Sequence, residues 1–341
     1  MNIFICGGGT GGHFFSGVAM AEKILDRNPS AKIIFIGTKN GIEGRTKLED
    51  PRMKVLFICA KGLKGKGLGQ RLLGVGYLLL GFLQSLGLLV RYRPKMIVGV
   101  GGYASAPTVF AGFLLRWLFR WKVWVLDQNS SPGLVNRIFS RLPLLAYSAF
   151  EFPRFQLVDL PLRRAFEQAA AHPQKAHWPP KKILILGGSQ GARGLNEKWK
   201  EVAPEVKKLI PDLQIFHQSG LSAQKELNEF YLSQGISAMV FAFSEKLYEF
   251  YDQADLIVCR SGAMTVFEVM KFKRPAIFVP FPAAADDHQT KNALAVQNSN
   301  WVIPETEFKW AKLRQLLESQ TPSIPHRISE NLTNWERILV I

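Results

Sequence analysis

The chain has 341 residues, 47% of them hydrophobic, and carries 43 Lys and Arg against 27 Asp and Glu, a net charge of +16. This composition excludes a disordered, collagenous or disulfide-stapled chain, and at about 150 residues per domain the length suggests two domains. Cys6, Cys59 and Cys259 each end an apolar run without zinc or redox spacing, which reads as buried, reduced thiols of a cytosolic protein.

The first predicted element is a strand, Asn2–Cys6, with no basic stretch before it that would read as a signal peptide. The loop GGGTGGH follows, with glycine at positions 7, 8, 9, 11 and 12, and then a helical run. A tight turn needs one or two such glycines; five suggest that backbone closely approaches a ligand. Gly7-x-Gly9-x-x-Gly12 formally matches the dinucleotide fingerprint, but the next strand, Lys32–Gly37, ends without the acid that would hold a ribose. Further strands are expected at Val55–Cys59, Met96–Val100 and Val123–Leu126. They are continuously apolar, as parallel strands buried on both faces should be. After a linker at Ala169–Pro180 the pattern restarts with Lys182–Leu186, Leu213–His217, Ala238–Phe241, Leu256–Cys259 and Ala276–Val279. Two successive βα runs predict an α/β chain of two Rossmann-like, doubly wound parallel-sheet domains facing across a cleft. Small-residue loops recur after three more strands, as GVGGYASAPT, LGGSQGARGLN and CRSGAMTVFEVM. Each sits between a strand end and a helix start, where N–H groups and the positive helix end suit a phosphate.

Charge is uneven. Residues 1–160 hold 21 basic and 8 acidic side chains, against 22 and 19 in the remainder, and none between Pro51 and Leu126 is acidic. Such a field implies nucleic acid, an anionic membrane or a phosphorylated substrate as partner; no nucleic-acid recognition motif is present. Leu72–Val90 is uncharged and, as a helix, would be about 28 Å long, enough to cross a bilayer core. A spanning helix would put the strands before and after it on opposite sides of a membrane. The expected element is instead a largely buried crossover helix whose exposed end meets lipid. Basic and aromatic neighbours mark that interfacial surface: Lys64, Lys66, Arg71, Leu79, Phe82, Arg91, Arg93, Arg116, Trp117 and Arg120.

In order along the chain, GGGTGGH, GGYASAP, DQNSSPGLVNR, GGSQGARGLN, CRSGAMTVFEV and PFPAAADDHQTKNA resemble the MurG family of N-acetylglucosaminyltransferases from Asn2 to about Ala293. The resemblance implies a GT-B fold, with residues 1–162 binding acceptor and membrane and residues 163–341 binding UDP-GlcNAc. A last helix at about 325–341 would pack back on the first domain. It further implies inverting transfer of GlcNAc from UDP-GlcNAc to the 4-hydroxyl of the muramyl lipid, lipid I, giving lipid II. The location would be peripheral, on the cytoplasmic face of the bacterial inner membrane, with cell-wall synthesis proteins as further partners and no nucleic acid.

Such a displacement needs a base and a means of stabilising the departing diphosphate. No Asp-x-Asp pair occurs, so no essential metal or other cofactor is expected, and backbone N–H groups and helix ends would serve instead. His13, at a helix start that disfavours imidazolium, is the candidate base; the alternative is capping or phosphate contact without proton transfer. Glu268 shares a helix face with Thr265, and its carboxylate suits two ribose hydroxyls. By resemblance the donor site also takes in Thr10, Gly11, Gly12, Asn129, Arg163, Ser189 and the backbone of Ser244. Gly262, Ala263, Met264 and His288 join it, with Gln289 reading the sugar hydroxyls. The acceptor diphosphate would lie on Gly9, Gly12, Gly101, Gly102 and Tyr103. Three features depart from the family pattern. Leu126-Asp127 replaces His-Glu, Asp159-Leu160 replaces Gly-Asn, and the tail after Ala293 lacks a glycine. Competing readings are another GT-B enzyme, either a lipid glycosyltransferase or a nucleotide-sugar epimerase, and a serine hydrolase built on Gly187–Gly191 with Asp255 and His288.

Overall fold

The computed structural model describes residues 1–9, 11–61, 68–188, 191–297, 300–319 and 335–339. Thr10, Lys64, Lys66, Ser189 and the Arg71 side chain lie outside them. The chain separates into two compact units. One holds Met1–Arg164 together with the described residues 335–339; the other begins at Ala165.

In the first unit the order is β1 (Asn2–Cys6), α1 (Gly11–Arg27), β2 (Lys32–Gly37), β3 (Met53–Phe57), α2 (Leu68–Tyr92), β4 (Met96–Gly99), α3 (Ala106–Phe119), β5 (Lys122–Asp127), α4 (Leu134–Phe139), β6 (Leu145–Ser148) and β7 (Gln156–Leu157). The strands form one parallel sheet ordered β3-β2-β1-β4-β5-β6-β7. Ile3, Phe4, Ile5 and Cys6 are completely buried, as are Met96, Ile97 and Val98 on the neighbouring strand. Apolar side chains on both faces are what a strand covered by helices on each side requires. The chain lays β2 and β3 on one flank of β1 and returns to place β4 on the other. The switch point, where doubly wound sheets bind ligands beyond their strand ends, therefore falls between β1 and β4. At the far end α12 (Trp335–Ile338) rests on this unit: the buried Trp335 indole donates to the Asp159 carbonyl at 2.6 Å and lies 6.2 Å from the Trp124 ring.

The second unit opens inside α5 (Arg164–Ala169), whose first residue still belongs to the first unit, and continues with β8 (Lys182–Leu186), α6 (Arg193–Leu209), β9 (Gln214–Gln218), α7 (Gln224–Ser233), β10 (Ser237–Phe241), α8 (Leu247–Gln253), β11 (Leu256–Cys259), α9 (Ala263–Lys271), β12 (Ala276–Phe278), α10 (His288–Leu294), β13 (Trp301–Val302) and α11 (Trp310–Leu317). Its parallel sheet is ordered β10-β9-β8-β11-β12-β13, so its switch point lies between β8 and β11. Ile183, Ile185, Trp199, Val258 and Ile277 centre its core.

Two expectations need correction. Cys6 and Cys259 are buried thiols whose ionisation burial pushes upward, but Cys59 is only half-buried. The apolar helix α2 is not largely buried. Only 22% of its apolar window is covered, and Leu73, Leu79 and Leu83 are each more than 60% exposed. The physical reason is that α2 covers its sheet with a narrow stripe. Gly81 lets the Cys59 carbonyl approach so closely that an added Cβ would stand 2.1 Å from its oxygen. Buried Ser85 meets Thr108 of α3 at 2.8 Å. Leu89 is fully buried and Phe82, Leu86 and Tyr92 pack against the core, whereas Leu73, Val75, Leu79, Leu80, Leu83 and Val90 face outward. Because β3 and β4, at its two ends, belong to one sheet, α2 does not cross a bilayer.

Candidate functional site

The β1–α1 and β4–α3 loops meet at the first switch point. A Cβ on Gly7 would lie 2.6 Å from Val100 Cγ2, one on Gly9 3.3 Å from the Tyr103 ring, and one on Gly102 2.9 Å from the Gly8 carbonyl oxygen. Gly9, Gly101 and Gly102 adopt φ of +83°, +91° and +77°, open to glycine at little cost. Beneath the first loop sits Glu43, 2% exposed. Its Oε2 accepts the Gly9 N–H at 2.9 Å, and its Oε1 accepts the Thr38 N–H at 2.7 Å. Gly8, Gly37 and Gly41 leave room for this side chain: a Cβ on Gly8 or Gly41 would come within 2.5 Å of the carboxylate, and one on Gly37 would stand 2.5 Å from Cγ. The glycine density thus has an internal cause that the ligand reading overlooked. Gly9 offers an anion space rather than a hydrogen bond, because its N–H is already donated. Gly12 differs, since a Cβ there would meet nothing within 4 Å.

His13, half-buried in the first turn of α1, lies on the second loop. A Cβ on Gly101 would be 3.0 Å from its ring, and one on Gly102 3.3 Å. Its Nδ1 stands 3.0 Å from both the Val100 carbonyl oxygen and Gln128 Oε1. The loop after β5 is pinned by Asp127, 1% exposed, whose carboxylate accepts the N–H groups of Asn129 at 3.0 Å and Gly133 at 2.9 Å and the Asn136 amide at 2.9 Å. The acid at this departure from the family pattern therefore organises its own loop. Asn129 is held there through its backbone. Arg163 belongs to the first unit, its guanidinium 4.9 Å from the Phe15 ring of α1.

At the second switch point the β11–α9 loop carries Gly262 as the N-cap of α9, with Ala263 and Met264 buried after it. Thr265 and Glu268 follow on α9. Glu268 is buried, and its Oε2 accepts the hydroxyl of fully buried Tyr251 at 2.8 Å. Ser261 donates to the Gln289 carbonyl at 2.8 Å, and Asn292, fully buried, donates to the Ser261 carbonyl at 3.1 Å. These bonds join the loop to α10. The side chain of Gln289 accepts the Phe281 N–H at 3.0 Å through Oε1, which leaves its Nε2 to donate to a ligand. His288 bonds to the Ala285 carbonyl at 2.7 Å, and Ser244 accepts the Lys246 N–H at 3.2 Å. Arg260, 6% exposed, donates to the Val279 and Pro280 carbonyls, both at 3.1 Å, and pairs with Glu305. Under the β8 loop, His217 Nε2 donates to Asn196 Oδ1 at 3.1 Å, Asn196 donates to the Ser219 carbonyl at 3.0 Å, and the Tyr231 hydroxyl donates to His217 Nδ1 at 2.7 Å. Burial holds the His217 ring neutral, its pKa lowered to about 3.

The hydrolase arrangement does not assemble. Asp255 takes three backbone N–H groups, from His177, Lys181 and Lys182, at 2.8–2.9 Å, and His288 bonds elsewhere. Among the described residues no cluster of three or more His, Cys, Asp and Glu could hold a metal. Residues missed by the sequence reading are the supports: Glu43, Gln128, Tyr251 and Asn196. Apart from Thr38, five positions before Glu43, their side-chain hydrogen-bond partners lie 17 or more positions away in the chain, where no local pattern reveals them.

Of the residues expected at a membrane surface, Leu79 is 62% and Trp117 80% exposed, and Phe82 packs on Phe110 at 5.7 Å. Arg116 lies 4.0 Å from the Phe113 ring and 4.9 Å from that of Trp117. Arg91, Arg93 and Arg120 are exposed at the ends of α2 and α3.

Comparison with known proteins adds kinship to this geometry. Residues 3–148 match the glycosyltransferase family 28 N-terminal domain, and residues 182–332 match the family 28 C-terminal domain. The chain is 40% identical over 310 residues to the UDP-N-acetylglucosamine–N-acetylmuramyl-(pentapeptide) pyrophosphoryl-undecaprenol N-acetylglucosamine transferase of Anaeromyxobacter sp. (strain K), covering 89% of this chain and 79% of that protein. It is 36% identical over 337 residues to the enzyme of the same name from Myxococcus xanthus, covering 96% and 86%. The crystal structure of Acinetobacter baumannii MurG superposes with a TM-score of 0.69 at 29% identity, over 92% of this chain and 89% of that one.

Proposed function

The chain belongs to glycosyltransferase family 28, with the paired parallel sheets of the GT-B fold, and on that footing we propose that it transfers GlcNAc from UDP-GlcNAc to lipid I, forming lipid II. The observation that carries the reading is its kinship with N-acetylglucosamine transferases across both units, at 36–40% identity.

In this reading the second unit holds the donor. Glu268, oriented by Tyr251, accepts the ribose hydroxyls, Gln289 Nε2 donates to the sugar, and the start of α9 with Gly262 faces the diphosphate. Thr265, Ser244 and His288 complete the donor site in this reading. The first unit holds the acceptor diphosphate near Gly12, the start of α1 and Tyr103. His13 takes the proton of the 4-hydroxyl as the new glycosidic bond forms with inversion. The donor diphosphate departs with its electron pair, stabilised by N–H groups and helix ends rather than a metal. The enzyme binds the inner face of an anionic membrane peripherally. The exposed apolar faces of α2 and α3, rimmed by Arg91, Arg93, Arg116 and Arg120, support that reading. Labelled GlcNAc should pass from UDP-GlcNAc to a lipid I analogue in EDTA, while UDP-GalNAc serves poorly. No transfer with either donor by folded protein would overturn the assignment.

A further inference from the structure

We propose that Gln128 is a positioning residue that locks His13 in the tautomer with its proton on Nδ1, so that Nε2 presents a lone pair. The catalytic consequence rests on the reading above that His13 is the base; the lock itself rests on geometry. Gln128 follows β5 and is 2% exposed. Its Nε2 donates to the Val100 carbonyl at 2.8 Å and to Ser16 Oγ at 3.2 Å, and its Oε1 stands 3.0 Å from His13 Nδ1. Turning the amide over would set Oε1 against the Val100 oxygen, two acceptors face to face, so the orientation is fixed by chemistry. An oxygen so oriented can only accept, and the Val100 oxygen, 3.0 Å from the same Nδ1, imposes the same demand. Both partners of Nδ1 are acceptors, so the one proton of a neutral imidazole sits there. Nε2 makes no hydrogen bond among the described residues. The Gly101–Gly102 floor, where a Cβ would crowd the ring at 3.0–3.3 Å, keeps the ring in place.

As the acceptor oxygen bonds to the anomeric carbon and the carbon–oxygen bond to the diphosphate breaks, its proton passes to Nε2. The resulting imidazolium keeps Nδ1–H on two acceptors that stabilise the charge. A ring of the opposite tautomer would present an N–H where a lone pair is needed.

The test uses the full chain labelled with [15N]histidine, its His13 resonances assigned by their loss in His13→Gln. Long-range proton–nitrogen correlation at alkaline pH is expected to show Nδ1 protonated and Nε2 unprotonated. The reverse in the wild-type protein overturns the proposal, whether or not any variant folds. Gln128→Leu leaves the Val100 oxygen as the remaining acceptor at Nδ1, so the two nitrogen shifts should move part of the way toward each other, and kcat should fall about tenfold with KM for UDP-GlcNAc unchanged, a fraction of the usual acid–base contribution. If Gln128→Leu keeps the wild-type spectrum and kcat, Gln128 is not the lock. If His13→Gln turns over at the wild-type rate, the base reading fails by itself, and the spectrum still decides the tautomer.

Discussion

Acid should loosen the second unit through one buried imidazole. His217 is wholly buried between Tyr231 and Asn196, and its pKa falls from 6.5 to about 3 because burial penalises the cation. Once unfolded, the ring titrates near its ordinary value. Below pH 6.5 the unfolded chain therefore binds a proton that the folded one refuses, and stability present above 6.5 is lost as pH falls, down to about 3. At roughly 1.4 kcal/mol per pH unit, lowering the pH from 7.5 to 5 removes about 2 kcal/mol through this group alone. The perturbation is His217→Gln, which cannot titrate. Native-state hydrogen exchange of the β9 amides, corrected for intrinsic rates, gives the opening free energy of each protein at both pH values. The variant should start less stable, because it disturbs the Tyr231 and Asn196 bonds. Its loss between the two pH values should nevertheless be about 2 kcal/mol smaller than that of the wild type. Equal losses would refute the argument, since they would mean that His217 is protonated in the fold or is not buried as described.

Other substitutions probe the supports and the surface. Tyr251→Phe removes the hydroxyl bonded to Glu268, so the KM for UDP-GlcNAc should rise about tenfold with kcat nearly constant in steady-state assays, given the strength of hydrogen bonds to charged groups. Glu43→Gln must turn an amide N–H toward either the Gly9 or the Thr38 N–H; thermal denaturation should show a loss of about 1–3 kcal/mol despite the equal size. Gly8→Ala sets a Cβ 2.4 Å from the Glu43 carboxyl carbon and should destabilise the first unit, whereas Gly12→Ala should leave stability unchanged and raise the KM for the lipid I analogue. Trp117→Glu with Leu79→Glu should weaken binding to anionic vesicles at least tenfold in co-sedimentation, and the wild-type protein should bind less at high salt.

Much of the fold is legible because buried parallel strands advertise themselves. β1, β2, β8 and β11 begin and end where their apolar runs do. Two-residue β7 and β13 could not be read: so few residues carry no period, and only their neighbours in the sheet make them strands. The apolar run of α2 was legible, its exposure was not, because hydropathy alone does not distinguish sheet contact from an uncovered face. The site divides in the same way. Glycine loops and the Glu268 helix stand out as contiguous text. Gln128 lies 115 positions from His13 and becomes its partner only because β5 and β1 both flank β4.

The first loop shows how a true signal can have a different cause from the one assigned to it. Its glycines suggested backbone bared to a phosphate, yet Gly7 faces Val100, Gly8 faces Glu43 and Gly9 faces Tyr103. A buried carboxylate under Gly9 also repels a second negative charge at that point. An anion at this loop is therefore better met further along, at Gly12 and the start of α1, where the first turn carries no acidic residue and a Cβ would meet nothing within 4 Å. His13 occupies the same turn and faces the β4–α3 loop, so the fold brings the proposed anion position, the proposed base and the second glycine loop to one switch point. The packing glycines serve that end indirectly: by letting Glu43 and Val100 close beneath the loop, they fix where α1 begins, and with it the direction in which its free N–H groups point.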